Sequence, residues 1–513
     1  MKYIIVQAGG RGSRLKNLTD NKPKALVPID NLPMLFHLFR RYKDKKFIII
    51  SDYKKEVMKG YLSAFAEVDY IVVEAKGTGT AGGIGEALER IPDNESFMLV
   101  WSDLVLPENF SLPEEYQYDC EAMHDYVGIS KTFPCRWKYE GGEFAEESST
   151  EYGVAGFFLF TAKAKLSKVP ESGELVRWMK EEGFKFEVCS LAGTREFGLI
   201  EEYEKLAGTR CRPFNKMTVN NDRVIKEPID EQGRGLAKRE ENWYSLAKKL
   251  GIEGIPKIYS TSPLEMEYID GSTIYEKGIE NTSEKKEILR KIITTLKEIH
   301  GLGSTLADRE SMRVAYYTKT FDRLGKIRDL VPFAGDEFIT VNKRRCRNVF
   351  SYRYLLEDRL EKLKCDSFSF IHGDCTFSNM MLRKNGEPVL IDPRGYFGTT
   401  EIYGDERYDW AKLYYSIVGN YDRFNLKKFT LEIGGGYGRP DSKLPYGEVK
   451  LNIESNGWED MADEFFRLTG ANEEEIKLIH AVIWLSLTTY AWQDYDSVCG
   501  AFYNGLYYLE EIL

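Results

Sequence analysis

Four side chains able to handle phosphate stand in fixed order late in the chain. FIHGDCTFSNMML carries His372, Asp374 and Asn379, and VLIDPRG carries Asp392. Phosphoryl transfer to a hydroxyl needs such a mixture: a carboxylate for the hydroxyl proton, an amide and a second carboxylate for Mg2+, and a lysine on the triphosphate. VIKE, on an expected strand, offers Lys226 as that lysine. A second group opens the chain, where AGGRGSRL is followed by KPKALVPI. Gly9, Gly10 and Gly12 permit a tight loop whose backbone N–H groups can approach phosphate oxygens. Arg14, Lys22 and Lys24 follow at close spacing, and Arg14 and Lys24 add mobile positive charge. The loop is neither the Walker pattern, which ends Gly-Lys-Ser/Thr, nor the dinucleotide fingerprint with its acidic residue after the second strand.

These residues need a frame. Short apolar runs at Tyr3–Gln7, Phe47–Ser51, Tyr70–Glu74 and Phe97–Trp101 alternate with amphipathic segments, which predicts a mostly parallel sheet covered by helices. The pattern changes near 205–215. LAGTRCRPFNKMTVNNDRVIKE predicts strand, turn, strand, with Asn220, Asn221 and Asp222 in the turn. A helix is expected over Ala237–Leu250, then the apolar stretch LEMEYIDG at 264–271, then a long, mainly helical remainder. We expect two domains, 1–209 and 210–513. The fold class is α/β: a Rossmann-like N-terminal domain, then an α+β domain with lobes of about 210–270 and 271–513.

Composition narrows the partners. Lysine and arginine number 71 against 81 acidic residues, a net charge of −10, and no long basic run offsets it. Nucleic acid and anionic membrane are therefore not expected partners. No run of about 18 apolar residues suits a bilayer, and the opening apolar run meets glycines too soon for a signal peptide, so a soluble cytoplasmic protein is expected. The eight cysteines show no CxxC spacing and are expected to be free thiols.

The N-terminal motifs resemble those of the nucleoside-triphosphate transferase family, whose opening is similar to AGGxGxRLxxxTxxxPKALVPI. The resemblance continues through GTGTAGGI at 77–84 and LVWSD at 99–103, and so covers about residues 1–110. It implies nucleotide contacts from Ala8, Gly9, Gly10, Gly12, Ser13, Gly77, Thr78, Thr80 and Ala81, catalytic charge from Arg14 and Lys24, and a metal-binding Asp103. The family's late motif DIGTPEDY reads EFGLIEEY here, which makes Glu196 the second metal carboxylate. No clear glutamate-lysine pair for a sugar phosphate is present; Lys138 with Glu140 is a remnant candidate. The paired glycines are similar to those of sugar-nucleotide enzymes, while LTDNKPKALV resembles phosphocholine cytidylyltransferases, so CTP and GTP are the favoured nucleotides.

The later set, HGD, then Asn, then an apolar strand ending in Asp, resembles the aminoglycoside phosphotransferase and choline kinase family. That resemblance implies Asp374 as base or hydroxyl-orienting group, Asn379 and Asp392 as Mg2+ ligands, and His372 as a buttress. It also implies that Lys226 pairs with Glu240 or Glu241, Glu240 being preferred, that LEMEYIDG is the hinge, and that Asp409 braces the catalytic loop. GDERYDWAKLYY resembles a subgroup found with surface-polysaccharide enzymes. Trp410, Tyr414, Tyr415, Trp484, Tyr490 and Trp492 could form a cage for a quaternary ammonium, though core packing is the commoner role of such residues. The long activation segment of a protein kinase is missing. Together the resemblances imply ATP, a second nucleoside triphosphate and a small hydroxyl compound (sugar, polyol or amino alcohol) as partners, with Mg2+ as cofactor. The kinase product would be the transferase's acceptor; the alternatives are unrelated substrates, or one module acting as a nucleotide-sensing regulator.

Overall fold

The computed structural model describes residues 1–117, 122–205, 215–220, 222–228 and 231–513. The chain divides into two compact units. The first is Met1–Arg210 with the late segments Gly436–Ser442 and Trp492–Asp496; the second is Cys211–Gly435, Lys443–Ala491 and Ser497–Leu513. The expected boundary at 209/210 lies outside the described residues.

The first unit is built on a nine-stranded sheet. Strand β1 (Tyr3–Gln7) lies between β2 (Lys46–Ser51) and β4 (Phe97–Trp101), parallel to both, and β3 (Asp69–Glu74) adds to β2 in parallel. Each begins within one residue of its expected start. Ile4, Ile5, Val6, Ile48, Ile49, Leu99 and Val100 are at most 1% exposed, the unbroken apolar run that a strand covered on both faces requires. Helices α1 (Met34–Arg41) and α2 (Lys55–Phe65) carry Phe39 and Tyr61, and Phe39 meets Phe47 of β2 at 4.7 Å. The opposite face packs on α3 (Ile84–Leu88) and α4 (Leu175–Glu181). Strand β6 (Gly153–Phe160) adds antiparallel to β4. Between them in sequence, β5 (Leu104–Val105) pairs with β7 (Arg195–Glu196).

The second unit opens with a four-stranded sheet, β8 (Asn215–Asn220), β9 (Arg223–Pro228), β11 (Leu264–Glu267) and β10 (Ile258–Thr261), in that spatial order. The strands pair as the expected hairpin, with Asn220 opposite Arg223 and so in the ladder rather than in the turn; Asn221 lies outside the described residues. Helix α5 spans Glu231–Leu250, six residues earlier than expected. Gly233 and Gly235 argue locally against helix by roughly 1 kcal/mol each, and tertiary packing outweighs them. LEMEYIDG is an inner strand followed by a crossing: Tyr268 N–H donates to Asp222 O at 2.7 Å, and Gly271–Thr273 pairs with Met380–Arg383.

The remainder is less helical than expected. Phe338–Val341, Arg344–Arg347, Phe429–Ile433 and Glu448–Ile453 form another four-stranded sheet. Its parallel pair joins Thr340 to Glu448, a partnership too distant in sequence for local periodicity to reveal. Among the described residues no helix is long and apolar enough to cross a membrane, and the six described cysteines are free; Cys120 and Cys211 lie outside the described residues.

Candidate active sites

In the first unit the chemistry gathers at the carboxyl edge of the sheet, where ligands of open α/β sheets collect. The loop after β1 is held from below by Ala8 N–H on Ile50 O (3.0 Å) and Tyr53 N–H on Gly9 O (3.1 Å). The N–H groups of Gly9, Gly10, Arg11, Gly12 and Ser13 donate to no described residue, which leaves a run of donors for an anion. Gly12 takes φ 67°, and a Cβ there would lie 2.9 Å from Lys24 Cβ, so only glycine lets the loop close on Lys24. Lys24 Nζ ion-pairs with Asp103 Oδ2. Lys22 faces elsewhere, buried against Asp494 (3.1 Å) and Asp496 of this unit's late segment.

The β5–β7 ladder brings two carboxyl groups from distant sequence together: Leu104 stands opposite Glu196, and Phe197 N–H donates to Asp103 O at 3.1 Å. Burial raises the Asp103 pKa, but the Lys24 ammonium more than offsets it and the carboxyl lies below its ordinary value. Burial and the neighbouring Asp103 charge push Glu196 up to about 7, with Lys24 and Arg14 opposing. Asp103 Oδ1 is a buried oxygen with no hydrogen-bond partner. A crowded carboxyl pair with an orphaned oxygen fits a divalent cation. No group of three or more potential ligands gathers among the described residues, so phosphate oxygens and water would complete the shell, as is usual for Mg2+.

One pH effect follows. The folded protein keeps the Glu196 proton up to about 7, whereas the unfolded chain loses it at an ordinary carboxylate pKa. The stability this proton contributes is therefore lost as pH rises through that window. A cation must displace the proton, so Mn2+ affinity measured by calorimetry should fall about tenfold per pH unit below 7, with about one proton released per ion. A flat profile between pH 6 and 8 would refute a Glu196 proton held up to about 7.

The GTGTAGG segment docks on β1 through Gln7 Nε2, which donates to Thr80 O (3.0 Å) and Gly82 O (2.9 Å). Its other polar groups serve residues 172–175. Thr78 N–H donates to Ser172 Oγ, Ala81 N–H donates to Gly173 O, and Thr80 Oγ1 accepts from Leu175 N–H at 2.8 Å. Ala81 is fully buried and Gly77 and Thr80 are half-buried, so the exposed residues here are Thr78 and Gly79. Lys138 pairs with Glu147 at 2.7 Å and with Glu140 at 3.7 Å in a surface hairpin.

In the second unit, Lys226 of β9 is buried, its Nζ 2.9 and 2.7 Å from the Glu240 oxygens and 3.0 Å from Asp392 Oδ1. Helix α5 turns Glu240, not Glu241, toward the lysine. Strands β12 (Ser367–Phe370), β13 (Met380–Arg383) and β14 (Pro388–Leu390) carry the rest. The β13–β14 hairpin holds Asn379 and Asp392 at its open end, with Ile391 N–H on Asn379 O at 2.9 Å. Asp392 takes φ 57°, a left-handed conformation aspartate tolerates better than most residues. Asn379 Nδ2 donates to Asp374 O (3.0 Å) and Oδ2 (2.9 Å), so its amide oxygen is the group left for a cation. With Asp392 this makes an oxygen pair of the kind Mg2+ uses beside phosphate.

Helix α6 (Thr282–His300), capped by Asn281 Oδ1 on Glu284 N–H, ends at His300. Helix α8 follows α7 (Lys319–Ile327), spans Glu406–Ile417 and presents Asp409 and Lys412 on one face, three residues apart. Asp409 accepts from His372 N–H (2.9 Å), Gly373 N–H (2.6 Å) and His300 Nε2 (3.0 Å). His372 is buried edge-on against Trp243, and its Nδ1 accepts from Asp374 N–H at 3.3 Å. Lys412 Nζ lies 2.9 Å from Asp374 Oδ1. Burial raises the Asp374 pKa, but the Lys412 charge wins and holds it below the ordinary value, ionised at neutral pH. Sequence reasoning missed Lys412; its signal was the three-residue spacing from Asp409. Arg394 was missed although it lies two residues past Asp392.

Asp409→Asn would turn an amide NH2 toward N–H donors. We expect a loss of about 3 kcal/mol, the scale for breaking a buried charged network, read as a lowered denaturant midpoint. A loss under about 0.5 kcal/mol would show that the loop does not depend on this brace.

Trp410, Tyr414, Tyr415 and Trp484 are at most 5% exposed and pack on one another and on helices, as Tyr415 does on Trp484 at 4.7 Å. Tyr490 is 62% exposed, and Trp492 packs on Phe36 and Phe65 in the first unit. The four buried rings serve as core of the second unit.

Residues 4–112 match the MobA-like NTP transferase domain and residues 232–426 match the phosphotransferase enzyme family. The UTP–glucose-1-phosphate uridylyltransferase AglF of Haloferax volcanii is 28% identical over 178 residues, 31% of this chain and 71% of that protein. The chain spans only 28% and 31% of the bifunctional GlmU proteins of Methanocaldococcus jannaschii and Methanococcus maripaludis. Among solved structures, the CTP:phosphocholine cytidylyltransferase LicC of Streptococcus pneumoniae aligns with TM-score 0.32 and 21% identity, over 40% of this chain and 96% of LicC. The gentamicin complex of APH(2")-IIa aligns with TM-score 0.37 and 16% identity, over 60% of this chain and 95% of that one.

Proposed function

We propose that this chain, which carries a MobA-like NTP transferase domain at its N-terminus and a phosphotransferase-family domain at its C-terminus, activates a small hydroxyl compound in two steps. The second unit phosphorylates the hydroxyl with ATP. The first unit then couples the new phosphate to a nucleoside monophosphate from CTP, GTP or UTP. The product suits a transferase that modifies a surface glycan.

The observation that carries this reading is that each unit assembles its own pair of oxygen-bearing side chains beside its own lysine: the carboxylates of Asp103 and Glu196 at Lys24, and the Asn379 amide with the Asp392 carboxylate at Lys226. In the kinase step Lys226, steadied by Glu240, neutralises triphosphate charge. Asp374, ionised and aimed by Lys412 and Asn379, accepts the hydroxyl proton as the oxygen attacks the γ-phosphorus and ADP leaves. In the transfer step the acceptor phosphate oxygen attacks the α-phosphorus and pyrophosphate leaves. The N–H groups of residues 9–13, with Arg14, stabilise the charge that spreads over the phosphate oxygens. Mg2+, held by Asp103 and Glu196 in one site and by Asn379 and Asp392 in the other, would supply charge neutralisation at the phosphates.

Phosphorus NMR of the full chain with ATP, each of the other triphosphates in separate arms, and pools of polyols, sugars and their acids tests the coupling. A diphosphodiester resonance should appear only when ATP and one second triphosphate are both present. A phosphorylated compound that accumulates and is consumed with none of the triphosphates would refute it.

A further inference from the structure

Beside Asp374 the second unit concentrates positive charge that its own residues do not neutralise. Lys319 and Arg323, one turn apart on α7, approach Arg394 and Lys412, and all four are half-buried. Arg394 donates to the phenol oxygens of Tyr408 and Tyr396, at 2.6 Å each. Lys319 Nζ is 5.5 Å from the Tyr408 ring centre, and Arg239 and Arg394 each lie 4.4 Å from that of Tyr396. Arg323 reaches the Ser486 carbonyl. Among the described residues, the ion pair from Lys412 to Asp374 is the only one these five cations make.

Like charges gathered in a partly desolvated site raise the free energy of the empty protein. The strain is visible in Lys319, whose ammonium burial and then Arg394, Arg323 and Lys412 push well below its ordinary pKa. The Tyr396 phenol lies below its ordinary value because Arg394, Arg239 and Arg323 outweigh the effect of burial. Neutral phenols and one carboxylate do not balance these charges. ATP is met from the opposite lobe by Lys226, and Lys412 is engaged by Asp374. Lys319, Arg323 and Arg394 are thus left with no carboxylate partner among the described residues, and Arg394 lies close enough to act on the Asp374 charge. A cationic acceptor would be repelled here, and the faces of Tyr396 and Tyr408 already carry cations.

We propose that the acceptor of the second unit bears, besides the hydroxyl that is phosphorylated, an oxyanion that docks on Lys319, Arg323 and Arg394. This rests on the kinase reading above and narrows it from hydroxyl compounds in general to hydroxy acids or hydroxy phosphates.

The test uses the full chain with ATP and four groups of acceptors: glycerate and gluconate, glycerol phosphate and glucose monophosphate, glycerol and glucose, and ethanolamine and choline. Phosphorylation should occur in the anionic arms alone, and the productive arm names the oxyanion. Arg323→Gln should then raise KM for that acceptor 10- to 100-fold, the worth of one charge-assisted hydrogen bond. Its kcat and its KM for ATP should stay within a few-fold, and Arg323→Lys should recover part of the loss. Equal or better use of neutral or cationic acceptors overturns the proposal while leaving the kinase reading intact. So does failure of every anionic compound both to react and to bind the protein loaded with a non-hydrolysable ATP analogue. Failure of the protein to bind ATP at all removes the kinase reading itself.

Discussion

Asp374→Asn should lower ATP-dependent phosphorylation by on the order of 1,000-fold, while pyrophosphate release from a pre-phosphorylated acceptor stays within twofold of wild type. The substitution keeps the shape of the side chain and an oxygen for Lys412 and removes the carboxylate held by Lys412 and Asn379. The wild-type carboxylate is already ionised, since Lys412 outweighs burial, so the loss should be nearly constant across neutral pH. Lys226→Met, which removes the contact with Glu240 and Asp392, should instead appear largely in KM for ATP. Coupled-assay kinetics on both variants separate the roles. An Asp374→Asn protein within tenfold of wild type would show that the proton leaves by another route.

Asp103→Asn should abolish the other half reaction, with pyrophosphate release down by on the order of 1,000-fold and ATP-dependent phosphorylation unchanged. Asp103 is the anchor of the first site: it pairs with Lys24, and its charge is one reason Glu196 holds a proton. Removing that charge should also lower the Glu196 pKa, leaving burial opposed by Lys24 and Arg14. Mn2+ binding would then weaken and lose part of its pH dependence. A pyrophosphate-release assay and metal calorimetry, read side by side, check both effects. If the variant kept full transfer activity, Asp103 would be a structural partner of Lys24 and nothing more.

Much of this was readable from local order. Three of the four parallel strands were visible because a strand buried on both faces must be a short continuous apolar run, as β1, β2 and β4 are; β3, at the sheet edge, was visible from its apolar centre Tyr70–Val73 although only Val73 is buried. The β13–β14 hairpin was implicit in the spacing of Asn379 and Asp392, because two short antiparallel strands between them return the chain to its starting point. Other features had no local trace. The sheet of Phe338–Val341 with Glu448–Ile453 depends on pairing across more than a hundred residues. The six extra residues of α5 include glycines that propensity counts against. The choice between Glu240 and Glu241 is one of helix phase, 100° apart, which only the packing of α5 resolves.

The amino-acid sequence by itself determined that two phosphate-handling motif sets lie in one chain, and which residue types each contributes, because backbone cradles and catalytic loops are short segments whose chemistry follows from spacing. Tertiary structure alone decided which charges meet. It set Glu196 beside Asp103 across some ninety residues of chain, turned Lys22 away from the cradle, and drew Lys319 and Arg323 of one helix toward Arg394 and Lys412. Coulomb energy depends on distance through space and on exclusion of water, and neither quantity is written in the order of residues along a chain.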